Sequence, residues 1–237
     1  MNLIDAFLDL LYPPKCVICE EPISDYGYCA KCDGKLKPIS EEMCIICGSR
    51  RKFCECKERV YHFDAVAAPY FNEGYARQGV YDLKFHNKFN CLKPFGKEMA
   101  LRAKKSFGIE NIDLICPVPA SVESYNERGF NQSDLFAREI SEHLKIDYKP
   151  KLIKKLETVK SQHRIKSLED RFNNVRNGFK VYDSIKGKNV LLVDDIKTTG
   201  ATIDECARQL KFAGADKVYC IVALITEKQH NLETYDL

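Results

Sequence analysis

Two sets of residues in this 237-residue chain have the types and spacing for chemistry. The first is eight cysteines within the opening 56 positions, as Cys16-x-x-Cys19, Cys29-x-x-Cys32, Cys44-x-x-Cys47 and Cys54-x-Cys56. A C-x-x-C turn aims two thiolates at one ion, and two such hooks complete the tetrahedral sulfur site that zinc prefers. Four hooks predict two structural zinc sites. Sequential closure would group Cys16, Cys19, Cys29 and Cys32, then Cys44, Cys47, Cys54 and Cys56. A cross-brace would alternate the hooks, but sequential loops are shorter and cost less closure entropy. With every position taken by sulfur, neither site leaves room for a reactive water. A disulfide framework is the competing reading, yet no secretion signal points to an oxidising compartment, so a cytoplasmic protein is expected. Cys91, Cys116, Cys206 and Cys220 stand in apolar or helical surroundings and read as ordinary buried residues.

The second set is the string from Val190 to Thr202, Val-Leu-Leu-Val-Asp-Asp-Ile-Lys-Thr-Thr-Gly-Ala-Thr. An apolar strand ends in two carboxylates and gives way to a loop of small residues that opens a helix. Thr198, Thr199, Gly200, Ala201 and Thr202 offer hydroxyls and approachable backbone N–H groups at a helix N-terminus, where the dipole favours an anion. Asp194 and Asp195, just before them, are placed to accept hydrogen bonds from ribose hydroxyls. One of the two has the alternative of helping to hold Mg²⁺, a hard cation that takes oxygen ligands. The chemistry implied is capture of a phosphorylated sugar.

Positioning these groups needs a scaffold, and the pattern of the chain supplies one. After residues 1–60, with the cysteine module, a second domain over 61–237 is expected. Phe63–Phe71 reads as a strand, Gly74–Phe85 and Pro94–Phe107 as helices, and Ile112–Val118 as a buried strand. Helices follow over Asn131–Leu144 and, briefly, Leu168–Val175. Asn189–Asp195 is a buried strand, Ala201–Ala213 a helix closed by Gly214, and Lys217–Ile225 a last strand. Alternation of this kind predicts an α/β fold, a parallel sheet flanked by helices. Such sheets bind ligands at the carboxyl ends of their strands, which points to the turns after Val118 and Asp195. The residues Leu3, Ile4, Phe7, Leu8, Leu10 and Leu11 fit a short amphipathic helix docked on the body, with a membrane-surface helix as the alternative. No apolar run approaches the roughly 18–20 residues of a membrane span.

Charge is local rather than global. The formal net charge is +3, and two four-thiolate zinc sites would bring it to about −1. Residues 145–188 nevertheless hold 13 Lys and Arg against 5 Asp and Glu. Lys151, Lys154, Lys155, Lys160, Arg164, Lys166, Arg171 and Arg176, with Tyr148 and Phe172 nearby, read as a phosphate track with stacking platforms for single-stranded DNA. A solvated basic face is the plainer alternative.

The Val190–Thr202 string resembles the phosphoribosyl-diphosphate (PRPP) motif of type I phosphoribosyltransferases. Pro117-Val-Pro119 followed by Arg128-Gly-Phe-Asn-Gln132 resembles the ComF family, as do Phe63-Asp64, Leu83-Lys84-Phe85 and the pattern Gln162, Leu168, Arg171, Asn174, Gly178-Phe179. That family joins a cysteine-rich zinc module to a phosphoribosyltransferase domain and is associated with DNA uptake in natural transformation. The resemblance implies that Asp194 and Asp195 bind the ribose and serve any catalysis, and that Thr198–Thr202 hold the 5′-phosphate. It places Val118, Pro119, Ala120 and Ser121 in the pyrophosphate loop, where relatives often carry a strained or cis peptide, Lys84 near the pyrophosphate, and Arg128, Asn131 and Gln132 along the cleft. It further implies Mg²⁺ with PRPP, single-stranded DNA, and a helicase-like motor or other competence protein as partners. An active transferase passing ribose 5-phosphate to an unknown acceptor is the alternative, although no nucleobase hood is recognisable. Two features depart from the family pattern. Glu123 and Glu127 occupy a loop that is often basic, and Lys197, which would reach the ligand or point to solvent, stands where the motif is usually apolar or small.

Overall fold

The computed structural model describes residues 13–40, 42–54, 56, 60–156 and 178–227. The helices expected over the first dozen residues and over Leu168–Val175 lie outside them. The sheet is the scaffold. Strands β1 (Ala65–Ala67), β2 (Tyr70–Phe71), β3 (Leu114–Pro117) and β4 (Asp147–Tyr148) join two long strands in one parallel sheet. A separate antiparallel pair is formed by β5 (Ile153–Lys155) and β6 (Phe179–Val181). The long strands are β7 (Asn189–Lys197) and β8 (Lys217–Ile225), and the order across the main sheet is β1-β8-β7-β3-β4, with β2 also on β8.

The central strands read as unbroken apolar runs because both faces are covered. Alternate residues serve the two sides. Leu191, Val193, Ile221 and Ala223 pack under helices α1 (Gly74–His86), α2 (Leu92–Phe107) and α4 (Gln132–Leu144), against Leu83, Phe95, Met99, Phe136 and Ile140. Val190, Leu192, Val218 and Cys220 face α5 (Ala201–Phe212), through Ile203, Cys206, Ala207 and Leu210. Cys91, Cys116, Cys206 and Cys220 are all buried, as expected. A seven-residue helix, α3 (Val122–Arg128), completes the set.

The strand expected over Phe63–Phe71 is split in two. Pro69 has no N–H for the ladder, and its carbonyl instead accepts from Ile39 N at 2.7 Å. That bond is one of several tying the cysteine module to the sheet. Val66 N donates to Ile45 O at 2.6 Å, and the Arg102 guanidinium donates to Ile39 O. Gly48 sits in the left-handed region at φ +76, and a Cβ there would lie 2.1 Å from Ile225 Cδ1. Only glycine lets the module approach so closely.

Candidate functional site

The geometry of the site starts from a difference in strand length. β3 ends at Pro117 opposite Val193, and Val118 N makes the last bond across, to Val193 O at 2.8 Å. On its other side β7 continues beside β8 as far as Lys197 opposite Ile225. From Asp194 onward β7 has lost one neighbour, so a cleft opens at its carboxyl end between the two turns singled out from the sequence.

Both carboxylates are held in that cleft. Asp194 Oδ1 accepts from Ser133 Oγ at 2.7 Å and from Asp195 N at 2.9 Å. Burial, and then the charge of Asp195, push the Asp194 carboxyl up to about 7, outweighing the pull of Ser133, the backbone and Lys84. Asp195 is buried, and its Oδ2 pairs with Lys84 Nζ at 2.7 Å. Lys84 is thus a largely buried counter-ion rather than an exposed helix-end lysine. Ser133 was not singled out from the sequence. Its only local signal is its place in the first turn of α4, right after Gln132.

The loop after β7 follows the expected plan. Gly200 takes φ +84 and precedes α5, and its carbonyl accepts from Asp204 N at 2.9 Å. Thr199 Oγ1 accepts from Ala201 N at 3.3 Å. Thr198 is exposed and Thr202 half-buried, beside buried Ala201. Lys197 is buried, with Cε 3.1 Å from where a Gly200 Cβ would stand, so it lies beneath the loop and not in solvent.

Across the cleft, Asn131 caps α4 and ties down the opposite turn. Its side-chain oxygen accepts from Ser133 N at 3.2 Å, while Nδ2 donates to Val118 O at 2.9 Å. Arg128 Nη1 donates to Gln132 Oε1 at 3.3 Å. Gln132 is 2% exposed, and its Nε2 is a buried donor with no partner among the described residues. An orphaned amide of this kind is a group a polar ligand satisfies. The turn Val118–Ser121 departs from expectation in one respect. It has no cis peptide and no positive φ, and Ser121 simply caps α3, accepting from Ser124 N at 3.1 Å.

Beside this turn lies a cavity of 490 Å³, lined by Ser121, Tyr125, Asn131, Lys151, Lys154 and Lys155 among others. Of the expected basic track, Lys154 and Lys155 stand on β5, and Lys154 Nζ lies 4.8 Å from the centre of the Tyr182 ring. Lys160, Arg164, Lys166 and Arg171 lie outside the described residues, as does Phe172. Tyr148 offers no free platform: it packs against the core and donates its hydroxyl to the Asp134 carboxylate.

The cysteines group sequentially, Cys16, Cys19, Cys29 and Cys32 in one cluster and Cys44, Cys47, Cys54 and Cys56 in the other. A tetrahedral zinc site with Zn–S of about 2.3 Å needs sulfurs about 3.8 Å apart. Cys19 and Cys29 are 3.6 Å apart, Cys44 and Cys56 3.6 Å, and Cys47 and Cys54 3.7 Å, while Cys54 and Cys56 stand closer, at 3.0 Å. The two clusters share a knuckle. Cys16 N donates to Glu21 O and Cys44 N to Ser49 O, and the residue after the second cysteine, Glu20 or Gly48, has positive φ in each. These are two Cys₄ structural zinc sites.

Comparison with known proteins agrees. Residues 7–63 match the double zinc ribbon domain, and residues 126–235 match the phosphoribosyl transferase domain. The DNA utilization protein YhgH of Escherichia coli (strain K12) is 25% identical over 224 residues, covering 90% of this chain and 98% of that protein. Competence protein F of Haemophilus influenzae is 25% identical over 86% of each chain. Competence protein ComFC of Bacillus subtilis is 26% identical over 82% of this chain and 88% of its own. Among solved structures, an allosteric regulatory enzyme of purine biosynthesis matches at TM-score 0.37 and 26% identity, over 55% of this chain and 25% of that one. A hypoxanthine phosphoribosyltransferase from Staphylococcus aureus matches at 0.36 and 14%, over 58% and 67%. The molecule is therefore a zinc-ribbon protein with a phosphoribosyl transferase-type α/β domain. Over most of its length it is similar to proteins named for DNA utilization and for competence. Among the described residues, no helix is long and apolar enough to cross a membrane.

Proposed function

We propose that this chain is a ComF-type competence protein that aids DNA uptake in natural transformation, working in the cytoplasm through a domain that binds PRPP with Mg²⁺ and holds single-stranded DNA. The transferase-like part is taken as residues 61–237, and the zinc module, residues 1–60, as a docking piece for a helicase-like motor or other competence protein. The names of the curated relatives support the biological role.

One observation carries the pocket reading: β7 outruns β3, so Asp194 and Asp195 stand on the stretch of β7 beyond that neighbour, next to a glycine-opened helix N-terminus. In this reading the two aspartates accept from ribose hydroxyls. Thr198, Thr199, Gly200, Ala201 and Thr202 receive the 5′-phosphate. Lys84, Arg128, Asn131 and Gln132, with the turn Val118, Pro119, Ala120 and Ser121, attend the diphosphate. Bound Mg²⁺ would neutralise that diphosphate. The orphaned Gln132 amide and the paired Lys84 ammonium fit an anionic, oxygen-rich ligand.

Calorimetric titration of the zinc-loaded protein with PRPP and Mg²⁺ tests this. Heat is expected from the wild type and none from Asp194→Asn/Asp195→Asn. A wild type silent at millimolar PRPP would reduce the motif to scaffold. A second reading, transfer of ribose 5-phosphate to an acceptor, is favoured by the paired aspartates, where burial and then the charge of Asp195 push the Asp194 carboxyl up to about 7. Pyrophosphate release that depends on an added acceptor would separate catalysis from binding alone.

A further inference from the structure

α1 carries aromatic side chains that the fold leaves in water. Tyr81 is 47% exposed, Phe85 57%, and Phe89, in the turn after the helix, 43%. Tyr81 and Phe85 lie one helical turn apart on α1, and Phe89 follows in the turn beyond the helix. The Tyr81 and Phe85 ring centres are 4.6 Å apart, and Phe89 meets Phe130 at 5.2 Å. The Arg128 guanidinium lies 5.5 Å from the centre of the Phe85 ring. Phe85 directly follows Lys84, whose ammonium grips Asp195.

A second ring–cation contact involves the zinc module. In the first turn of α2, Lys93 Nζ lies 3.7 Å from the centre of the Tyr26 ring. Rings and cations thus alternate along one stretch of chain. The acid on this part of α1, Asp82, is already engaged by His86 at 2.7 Å and Lys88 at 3.9 Å. Exposed rings of this number mark a binding surface. A purely apolar partner would have to bury the charges of Arg128 and Lys93, at a cost that rings alone do not offset. A strand with flat bases and a phosphate backbone satisfies both kinds of group at once.

We infer that Tyr81, Phe85 and Phe89, with Phe130 and Arg128, form a stacking shelf for the bases of single-stranded DNA. It is separate from the lysine stretch beyond residue 145. The inference rests on the reading that this protein handles single-stranded DNA, and it names the surface and the mode of contact.

The test uses the full-length zinc-loaded protein and an oligodeoxythymidylate carrying one 2-aminopurine, whose emission falls on stacking. Phe85→Ala and Phe89→Ala should each weaken affinity about 5-fold or more. Phe85→Trp should retain affinity. The natural chain has no tryptophan, so the emission of that variant reports this position alone and should be quenched by the oligonucleotide. PRPP heat in Phe85→Ala should remain. Wild-type affinity in both alanine variants, or an unquenched Phe85→Trp at saturation, overturns the shelf, as does loss of oligonucleotide and PRPP binding together. A wild type that binds no oligonucleotide overturns the single-stranded DNA reading and the shelf with it, whereas absence of PRPP heat alone overturns only the sugar-phosphate pocket.

Discussion

Asp194 and Ser133 are 61 residues apart in the chain and 2.7 Å apart in the fold, a contact that opposes the upward push of burial and of Asp195 on the Asp194 carboxyl without reversing it. In an unfolded chain the carboxyl titrates near 3.8, whereas in the fold burial, and then Asp195, push it up to about 7. Between those values the folded protein keeps a proton that the unfolded chain has released. Stability from this group is therefore full below about pH 4 and falls as pH rises toward 7. In the ligand-free protein, Asp194→Asn should remove that fall, because the amide keeps an acceptor for Ser133 and carries no charge. The melting temperature of the variant should exceed wild type at pH 8 and converge with it near pH 4. Parallel curves across that range would mean Asp194 stays ionised. The aspartates and the threonine loop were legible in the sequence because the string from strand to helix is local. Ser133 was not, since its role exists only once α4 packs against β7. Lys84 was legible as a ligand-side residue through the family resemblance alone. Its pairing with Asp195 comes from the placing of α1 over the sheet.

Element by element, the sequence is readable where burial imposes a period and silent where it does not. β7, β8, α2, α4 and α5 emerge near their expected bounds because apolar residues mark the buried faces. α3 escaped notice for the opposite reason: none of its seven residues is buried. Only its ends announce it, the Ser121 cap and Gly129 in the left-handed region at φ +79. β5 and β6 are three residues each and too short for any period to register. The loop into α5 is a junction whose form depends on one residue. Gly200 holds φ +84, and a methyl group there would stand 3.1 Å from Lys197 Cε. Gly200→Ala should cost about 1–2 kcal/mol from the left-handed backbone alone, read as a lower urea midpoint with unchanged slope. A neutral result would show that the loop relaxes into another turn.

At the scale of the whole molecule, the zinc module acts as a structural part of the sheet domain. Val17 belongs to the main core, Gly48 packs on Ile225, and Arg50 Nη1 pairs with Glu227 Oε2 at 3.1 Å. The sequence separated module from domain by composition. It did not show their docking, because contacts such as Ile39 with Pro69 join residues with no pattern in common. Stripping zinc with a strong chelator should therefore do more than unfold the first sixty residues. Each site is worth on the order of 10 kcal/mol of folding free energy, and the cover over β1 and β2 depends on it. The melting temperature of the sheet domain should drop, while the far-ultraviolet dichroism of its helices persists at low temperature. An unchanged melting temperature would mean that the two parts fold independently. The hydrogen bond from Val66 N to Ile45 O has one more consequence. β1 is a terminal strand of the sheet, and the ribbon shields its outward amide from other molecules. A cell short of zinc would then accumulate a sheet with a bare, pairing-competent border, prone to self-association. Light scattering should rise when metal is withdrawn and fall when it is restored before precipitation sets in.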